Sequence, residues 1–484
     1  MNIFGILLLV NYILCGLAVL GMIFVEKKKP IRITMWTLVL ILIPFLGLFL
    51  YILIGYGLNA RTKLLLKKSS GLVSNKQQVK MQIKKFKNYN NLNQIEKKHK
   101  DLIMLNLKKA NALLTNNNSF ELLNNSEMFD DLKYELIKAK SSINIMFYIF
   151  ANDKTGKEIK NILIEKAKQG IKVKVLYDAI GSLFTRKSQF KKLVKAGGEV
   201  LEFFPAMLGL KILNFKANYR NHRKIVVIDG NIGYIGGFNI RNDHLGLKKK
   251  VSPWSDCNIK VQGDAVHSLQ NTFIQDFTIA TKKNKKADFE DEVYYPALKN
   301  YGKTHMQIVT SAPTLNQQEN IEQALIKMII SAKRIIRIET PYFVPNDAFI
   351  NAIKLALLSG VKVEIIVPGK PDKWFVYSAT LSHLEEVLKM GAKVFLYNGF
   401  MHSKQVIVDD NVVSIGSSNL DVRSFILNFE INAFIYAKEN VSKFISVFET
   451  DKQNSSQLKL EYYKKMNIFS KVKLSIARLF SAIL

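Results

Sequence analysis

"NHRKIVVIDGNIGYIGGFN" occupies Asn221–Asn239 and "MHSKQVIVDDNVVSIGSSN" occupies Met401–Asn419. Both carry His-x-Lys-x4-Asp, and in both an Asn stands seventeen residues after the His. Branched apolar residues, Ile225 to Ile228 and Val406 to Val408, lead into Asp229-Gly230-Asn231 and Asp409-Asp410-Asn411, and a second apolar run follows. That is the strand-turn-strand signal of a hairpin. Strand side chains alternate faces, so His222 and Lys224 point the same way, as do His402 and Lys404. A turn centred near Gly230 brings Gly237 to Asn239 back level with His222, and Gly416 to Asn419 returns to His402 likewise. Each copy is expected to present an imidazole, an ammonium and a carboxamide together.

With 7 His, 70 Lys+Arg and 39 Asp+Glu in 484 residues, a loosely defined His-x-basic-x4-acid pattern arises by accident roughly 0.08 times. One such pattern would carry little weight. Two of them, with the Asn at the same offset, mark a repeated unit. The remaining histidines, His99, His244, His267, His305 and His383, are read as ordinary packed side chains.

The repeat extends beyond the hairpins. "INIMFYIFAND" (143 to 153) matches "IRIETPYFVPND" (336 to 347) in character, and "LIEKAKQGIKVKVLYD" (163 to 178) matches "IKLALLSGVKVEIIVP" (353 to 368). "FKKLVKAGGEVLEF" parallels "HLEEVLKMGAKVFLY". Each half reads strand, helix, strand, helix, strand, then hairpin, an alternation that implies an α/β layer structure. The first half is placed at 113–300 and the second at 301–452. Two such halves face to face would set His222 and His402 across one shared site.

The formal charge of +31 points to a polyanionic partner, nucleic acid or an anionic membrane. The N-terminus decides for the membrane. Residues 1 to 25 and 33 to 58 contain no charged side chain, and each stretch exceeds the roughly 20 residues that cross a bilayer core. Two transmembrane helices are therefore expected within 1–60. The first has no basic residue ahead of its apolar run, unlike a cleaved signal peptide. Six basic residues follow the second stretch closely (Arg61, Lys63, Lys67, Lys68, Lys76 and Lys80) against four in the loop between the stretches, which favours a cytoplasmic catalytic region by a narrow margin.

A basic linker, partly helical, is assigned to 61–112, lying over anionic headgroups or else simply solvated, since Arg61 to Lys109 holds 14 basic residues against Glu96 and Asp101. At 453–484, "YYKKMNIFSKVKLSIARLFSAIL" reads as a basic amphipathic helix, lying either in the membrane interface or against the protein itself. "FFPAMLGLKILNF", just before the first hairpin, is expected either to dip towards the bilayer or to be buried. Only Cys15 and Cys257 occur, so no disulfide framework is implied, and no CxxC or His-x3-His spacing suggests a metal site.

Two imidazoles suit a phosphodiester. One attacks phosphorus to give a phosphohistidine, and the other protonates the leaving alkoxide and later takes a proton from the incoming alcohol or water. Lys224, Lys404, Asn239 and Asn419 would hold the non-bridging oxygens, the role metal ions play elsewhere, so neither metal nor cofactor is called for. Orienting carboxylates for the imidazoles are sought downstream, at Asp256 in "PWSDCNIKV" and Glu430 in "LNFEINAFI", each about thirty residues past the His of its own half.

These motifs resemble the phospholipase D superfamily, and in detail the bacterial cardiolipin synthases. The stretches "NYRNHRKIVVIDG", "TPYFVPND", "GFMHSKQVIVDD", "GSSNLDVRSFILNFE", "RLFSAIL" and "IPFLGLFLYILIG" all carry the likeness. The resemblance implies two phospholipase D-like α/β halves sharing one active site behind two transmembrane helices. It implies transfer of a phosphatidyl group between two phosphatidylglycerols, giving cardiolipin and glycerol, in a bacterial cell membrane. It marks His222, Lys224, Asp229 and Asn239, and His402, Lys404, Asp409 and Asn419, as the site residues. The chain departs from the family pattern at "IRNDHLG", after Asn239, where a Gly-Asp-Glu-Tyr run is usual, and at Ala482, where proline is usual. A hydrolytic phospholipase D releasing phosphatidic acid is the alternative. Its partners are expected to be anionic phospholipids rather than nucleic acid.

Overall fold

The computed structural model describes residues 3–26, 30–55, 75–205, 218–281, 292–297, 299–314 and 318–480, together with Thr62, Leu66 and Phe289. Both hairpins form as the sequence predicts. Ile225–Ile228 pairs antiparallel with Ile232–Gly236, placing Ile225 opposite Ile235, and Gln405–Val408 pairs with Val412–Gly416, placing Gln405 opposite Ile415. Ile225, Val226, Val227 and Ile228 are fully buried, each worth on the order of 1.5–3 kcal/mol of apolar transfer.

Each hairpin is the middle of a seven-stranded half. In the first, the order is 114–124, 257–262, 232–236, 225–228, 142–147, 172–178, 199–203. In the second it is 304–311, 430–436, 412–416, 405–408, 335–339, 362–368, 393–397. The last three strands of each half run parallel and are linked by helices, while the hairpin strands are antiparallel to their neighbours. Helices Lys154–Lys168 and Asp347–Leu358 begin at the matching "AND" and "PND", where Asp153 accepts from the backbone of Gly156 and Asn346 from that of Phe349.

The two halves join edge to edge. Leu114–Asn124 pairs with Thr304–Ser311, and a fifteenth strand, Ser455–Leu458, closes the far edge of the second half against Lys393–Tyr397. One apolar cluster includes Leu176, Ile225 and Phe273 of the first half with Ile366, Ile407 and Ile431 of the second. The interface between halves is thus packed core, which fixes the two hairpins relative to each other.

Several expectations need correction. From residue 75 on, the stretch taken as linker is folded, since helices Lys76–Lys87 and Lys100–Ala110 bury Val79, Phe86, Leu102, Ile103 and Leu107 in the core of the second half. Its apolar positions are sparse but sit on one side of each helix, and the many lysines on the other face masked that period. At the C-terminus the helix Ile468–Phe480 packs on the protein, one of the two readings, and keeps a second apolar face open. Leu474 and Ala477 are buried against the protein, with Arg478 paired to Glu386 at 2.6 Å, while Phe469, Val472, Ile476 and Leu479 form an exposed apolar stripe. Met207 and Leu208, in the stretch expected to dip towards the bilayer, lie outside the described residues.

Among the described residues one helix, Ile3–Val25, is long and apolar enough to cross a membrane. The second apolar stretch breaks at Ile43, where Pro44 opens a new helix, into Pro30–Leu42 and Pro44–Leu50 with its continuation Tyr51–Gly55. The second arm folds back along the first. A Cβ on Gly47 would stand 2.6 Å from the Val39 carbonyl oxygen, the Trp36 and Tyr51 rings meet edge-on at 5.4 Å, and the Tyr51 hydroxyl donates to Glu26 at 3.0 Å. Arms of 13 and 12 residues reach about 20 Å at 1.5 Å per residue, short of a roughly 30 Å hydrocarbon core. Where a second span was expected, the described residues hold this broken pair of shorter helices.

Candidate active site

A short parallel pairing sets each histidine. Asn221 bridges Phe429, so the His222 backbone N–H donates to the Phe429 carbonyl at 3.0 Å and the next residue of the other half is Glu430. In the same way Phe400–Met401 pairs with Trp254–Ser255, the His402 N–H donates to the Ser255 carbonyl at 2.6 Å, and the next residue is Asp256. His222 Nδ1 lies 3.0 and 3.1 Å from the two Glu430 oxygens, and His402 Nδ1 lies 2.6 Å from Asp256 Oδ2.

The orienting carboxylates are those expected, but the partners are exchanged. Each imidazole is held by the other half rather than by the strand that follows it in its own. Chain order suggested the nearer carboxylate; the edge-to-edge joining of the halves brings the farther one instead. With Nδ1–H given to a carboxylate, Nε2 keeps its lone pair for chemistry.

The lysines approach the same centre. Lys224 and Lys404 are buried, and each Nζ donates to the carbonyl of its own histidine, His222 and His402. Burial pushes the Lys224 ammonium down to about 7, with Glu430 opposing and Lys404 adding to the shift. Burial likewise brings Lys404 to about 8, opposed by Asp256 and Glu430. Burial, aided by the lysines and opposed by Glu430, pushes His222 down to about 4, and His402 falls well below its ordinary value. His222 is thereby held neutral at pH 7, the state a nucleophile needs. Since Lys404 acts on His222 and Lys224 on His402, the four groups share one site.

Gly237 and Ser417 explain the differing third motif residues. A Cβ on Gly237 would meet Asp256 Oδ1 at 2.3 Å, so the carboxylate of the first half needs glycine there. At the equivalent place in the second half the Ser417 hydroxyl donates to Glu430. Asn239 and Asn419 are both nearly buried. The Asn239 carboxamide oxygen accepts from Ile149 N–H at 3.1 Å, and Asn419 Oδ1 has no hydrogen-bond partner among the described residues.

Asp229 and Asp409 are not part of this centre. Each stands at the turn, seven residues from its histidine, roughly 20 Å along an extended chain. Asp229 has φ 51° and accepts from the backbone N–H groups of Lys140, Ser141 and Ser142 at 2.7–2.9 Å, while Asp409, with φ 50°, accepts from Lys333, Arg334 and Ile335 at 2.7–3.0 Å. They lock the hairpin turn to the preceding helix–strand connection. Asp229→Asn is expected to lower stability by about 1–3 kcal/mol, because an amide N–H2 then faces backbone donors. Turnover per folded molecule should be unchanged, as a denaturant melt and an assay at matched folded fraction would show.

Two residues were missed. Tyr148 packs edge-on against His222 with ring centroids 4.9 Å apart, and Lys224 lies over its ring at 5.6 Å. It sits in the repeated "FYIF" and "PYF" stretches, so the doubling itself was the signal. His244, read as an ordinary packed histidine, stands in the site. Its ring nitrogens lie 3.2 Å from the Asn239 backbone and carboxamide nitrogens, Nδ1 is 3.7 Å from Asp256 Oδ2, and its ring meets that of His402 at 4.8 Å. It belongs to the divergent "IRNDHLG", and the second half has Ser424 at the matching offset, so no repetition exposed it.

His244, Asp256 and His402 bring ligand atoms within 4.8 Å of one another. Asp256 is already bonded to His402, and Lys404 lowers the basicity of both imidazoles. This donor set fits a hydrogen-bonded dyad better than a dication.

Comparison with known proteins agrees with the geometry. The family described as "Cardiolipin synthase, PLD-like domain" matches residues 132–276 and 325–452, and "Phospholipase_D-nuclease N-terminal" matches 13–55. The cardiolipin synthase of Oceanobacillus iheyensis and the major cardiolipin synthase ClsA of Bacillus subtilis are each 41% identical to the chain, with 100% of both partners covered. That of Listeria welshimeri is 41% identical over 98% of this chain and 100% of its own. Among solved structures, the phosphatidylserine synthase of Haemophilus influenzae superposes with a TM-score of 0.59 at 18% identity, covering 81% of this chain and 98% of its own, a likeness of fold.

Proposed function

The chain belongs to the PLD-like cardiolipin synthase family and is a phosphatidyltransferase, and from that premise we propose how it joins two phosphatidylglycerol molecules. His222 Nε2 attacks the phosphorus of the first lipid, forming a P–N bond as the P–O bond to glycerol breaks. The bound phosphate anion raises the basicity of His402, which takes up a proton from solvent at Nε2 as the lipid binds and gives it to that leaving alkoxide. His402 then removes the proton from the headgroup hydroxyl of a second phosphatidylglycerol, whose oxygen displaces His222 to give cardiolipin.

The observation that carries this reading is the crossed pair, His222 on Glu430 and His402 on Asp256, with Lys224 and Lys404 between them. Lys224, Lys404, Asn239 and Asn419 would hold the non-bridging oxygens. Bound phosphate would draw the lysine pKa values upward, keeping both charged. Purified protein in phosphatidylglycerol vesicles is expected to release one glycerol per cardiolipin, with no nucleotide and with chelator present. Excess glycerol should drive the reaction backwards, since one phosphodiester is exchanged for another. Phosphatidic acid as the main product would assign the chain to the hydrolytic alternative.

For the membrane, the reading is one span, Ile3–Val25, followed by a re-entrant hairpin that enters and leaves on the side of the catalytic halves. The sequence flanking the hairpin, 27–32 and 61–80, holds ten basic residues, and the positive-inside rule makes the side on which the hairpin enters and leaves cytoplasmic. The exposed stripe of Phe469, Val472, Ile476 and Leu479 would rest in the same leaflet. In intact cells an impermeant maleimide should label Ile3→Cys, and should reach Val25→Cys only after permeabilisation. The reverse pattern would restore two spans.

A further inference from the structure

A buried cluster behind the second hairpin, on the strand face opposite His402 and Lys404, has no part in the chemistry above. It consists of Glu339, at the end of strand Ile335–Glu339, Asp451 on helix Lys438–Gln453, and Ser403 and Gln405. Glu339, Ser403 and Gln405 are at most 1% exposed and Asp451 7%. Gln405 Nε2 donates to Glu339 Oε2 at 2.7 Å, and the Ser255 hydroxyl donates to Asp451 Oδ2 at 2.8 Å. Glu339 Oε1 and Gln405 Oε1 have no hydrogen-bond partner among the described residues, and neither carboxylate makes an ion pair there.

The doubled fold shows what the first half keeps at this place. The repeat puts Met146 where the second half has Glu339, Asn221 where it has Met401, Arg223 where it has Ser403 and Ile225 where it has Gln405. The Arg223 guanidinium donates to both oxygens of Asp276 at 2.8 and 2.7 Å, and Asp276 lies on helix Ala265–Thr281, the counterpart of the helix that carries Asp451. The first half therefore buries one cation with one carboxylate. The second buries two carboxylates and has a small serine where the guanidinium would reach.

We propose that Glu339, Asp451, Ser403 and Gln405 form a binding site for a monovalent metal cation, potassium or sodium, in the position that the Arg223 guanidinium holds in the first half. All the donors are oxygens, the ligands that suit a hard cation. Two adjoining buried carboxyls share one proton because like charges in low dielectric cannot both ionise. The remaining negative charge then matches one monovalent ion, as Asp276 matches Arg223. Ser255 ties the site to the catalytic centre, since its hydroxyl bonds Asp451 while its carbonyl holds the His402 backbone.

The test is the thermal unfolding midpoint of the full chain in detergent near neutral pH, at constant ionic strength. Potassium or sodium chloride should raise the midpoint saturably, by about 3 °C, over tetramethylammonium chloride, whose ion is too large to enter. Glu339→Gln with Asp451→Asn, which keeps the shapes and removes the remaining charge, should abolish the difference. Glu339→Met with Ser403→Arg, which installs the first-half side chains, should do the same. Equal midpoints in all three salts for the unaltered protein would overturn the proposal, as would an undiminished potassium response in the Glu339→Gln, Asp451→Asn double variant. Stabilisation by acid alone, without any response to ion size, would assign the cluster to a shared proton and reject the ion.

Discussion

Glu430→Gln is expected to lower turnover by about 10³- to 10⁴-fold while the protein stays folded, the scale seen when an imidazole loses the carboxylate that sets its tautomer. Glu430 is fully buried and is held by the Ser417 hydroxyl and by Asn428 Nδ2 at 3.0 Å. Burial raises its pKa, but His222 and Lys224 outweigh that and hold it below the ordinary carboxylate range, so it faces His222 as an anion. A carboxamide presents N–H2 to Nδ1 and moves the ring proton to Nε2, the atom that must attack. The crossed geometry makes the outcome specific. Glu430→Gln should slow attack by His222 on every substrate, whereas Asp256→Asn should spare that attack when the leaving group needs no proton and slow only the steps in which His402 gives or takes one. If each carboxylate served the histidine of its own half, these two phenotypes would be exchanged.

The second large effect is loss of either imidazole. His222→Ala and His402→Ala should each reduce turnover by about 10⁴-fold or more, since nucleophile and acid reside in different halves and neither replaces the other. They should differ with an activated phosphatidyl substrate whose leaving group needs no proton. His402→Ala should then release one equivalent of leaving group and stall, while His222→Ala should release none. In the unaltered enzyme, kcat/KM should fall as pH rises through about 7 to 8, because both lysines lose their charge there in the free enzyme. Lys224→Arg should move that fall upward if the folded site accepts the larger group.

The doubled motif made the halves, the hairpin register and the six site side chains from His222 to Asn419 legible in the sequence, because period-two alternation and equal offsets are local properties. Partner exchange was not legible. Whether His222 meets Asp256 or Glu430 depends on which strands join the halves, a long-range choice that no local pattern records. Asp229 and Asp409 were misplaced because a motif lists residues that travel together without separating chemistry from turn-locking. His244 was missed because it has no counterpart in the other half. The lysine-rich helices of 76–110 were hidden by composition, and the break at Pro44 was hidden because hydropathy counts apolar residues without registering a fold-back.

The most direct measurement maps the covalent intermediate. The enzyme is mixed with labelled phosphatidylglycerol, quenched in alkali during turnover, digested and sequenced by mass spectrometry. The account predicts a phosphatidyl group on the peptide carrying His222, absent from His222→Ala and accumulating in Glu430-intact His402→Ala with the activated substrate. An adduct confined to the His402 peptide, or cardiolipin formed at full rate with no adduct on either histidine, would contradict it.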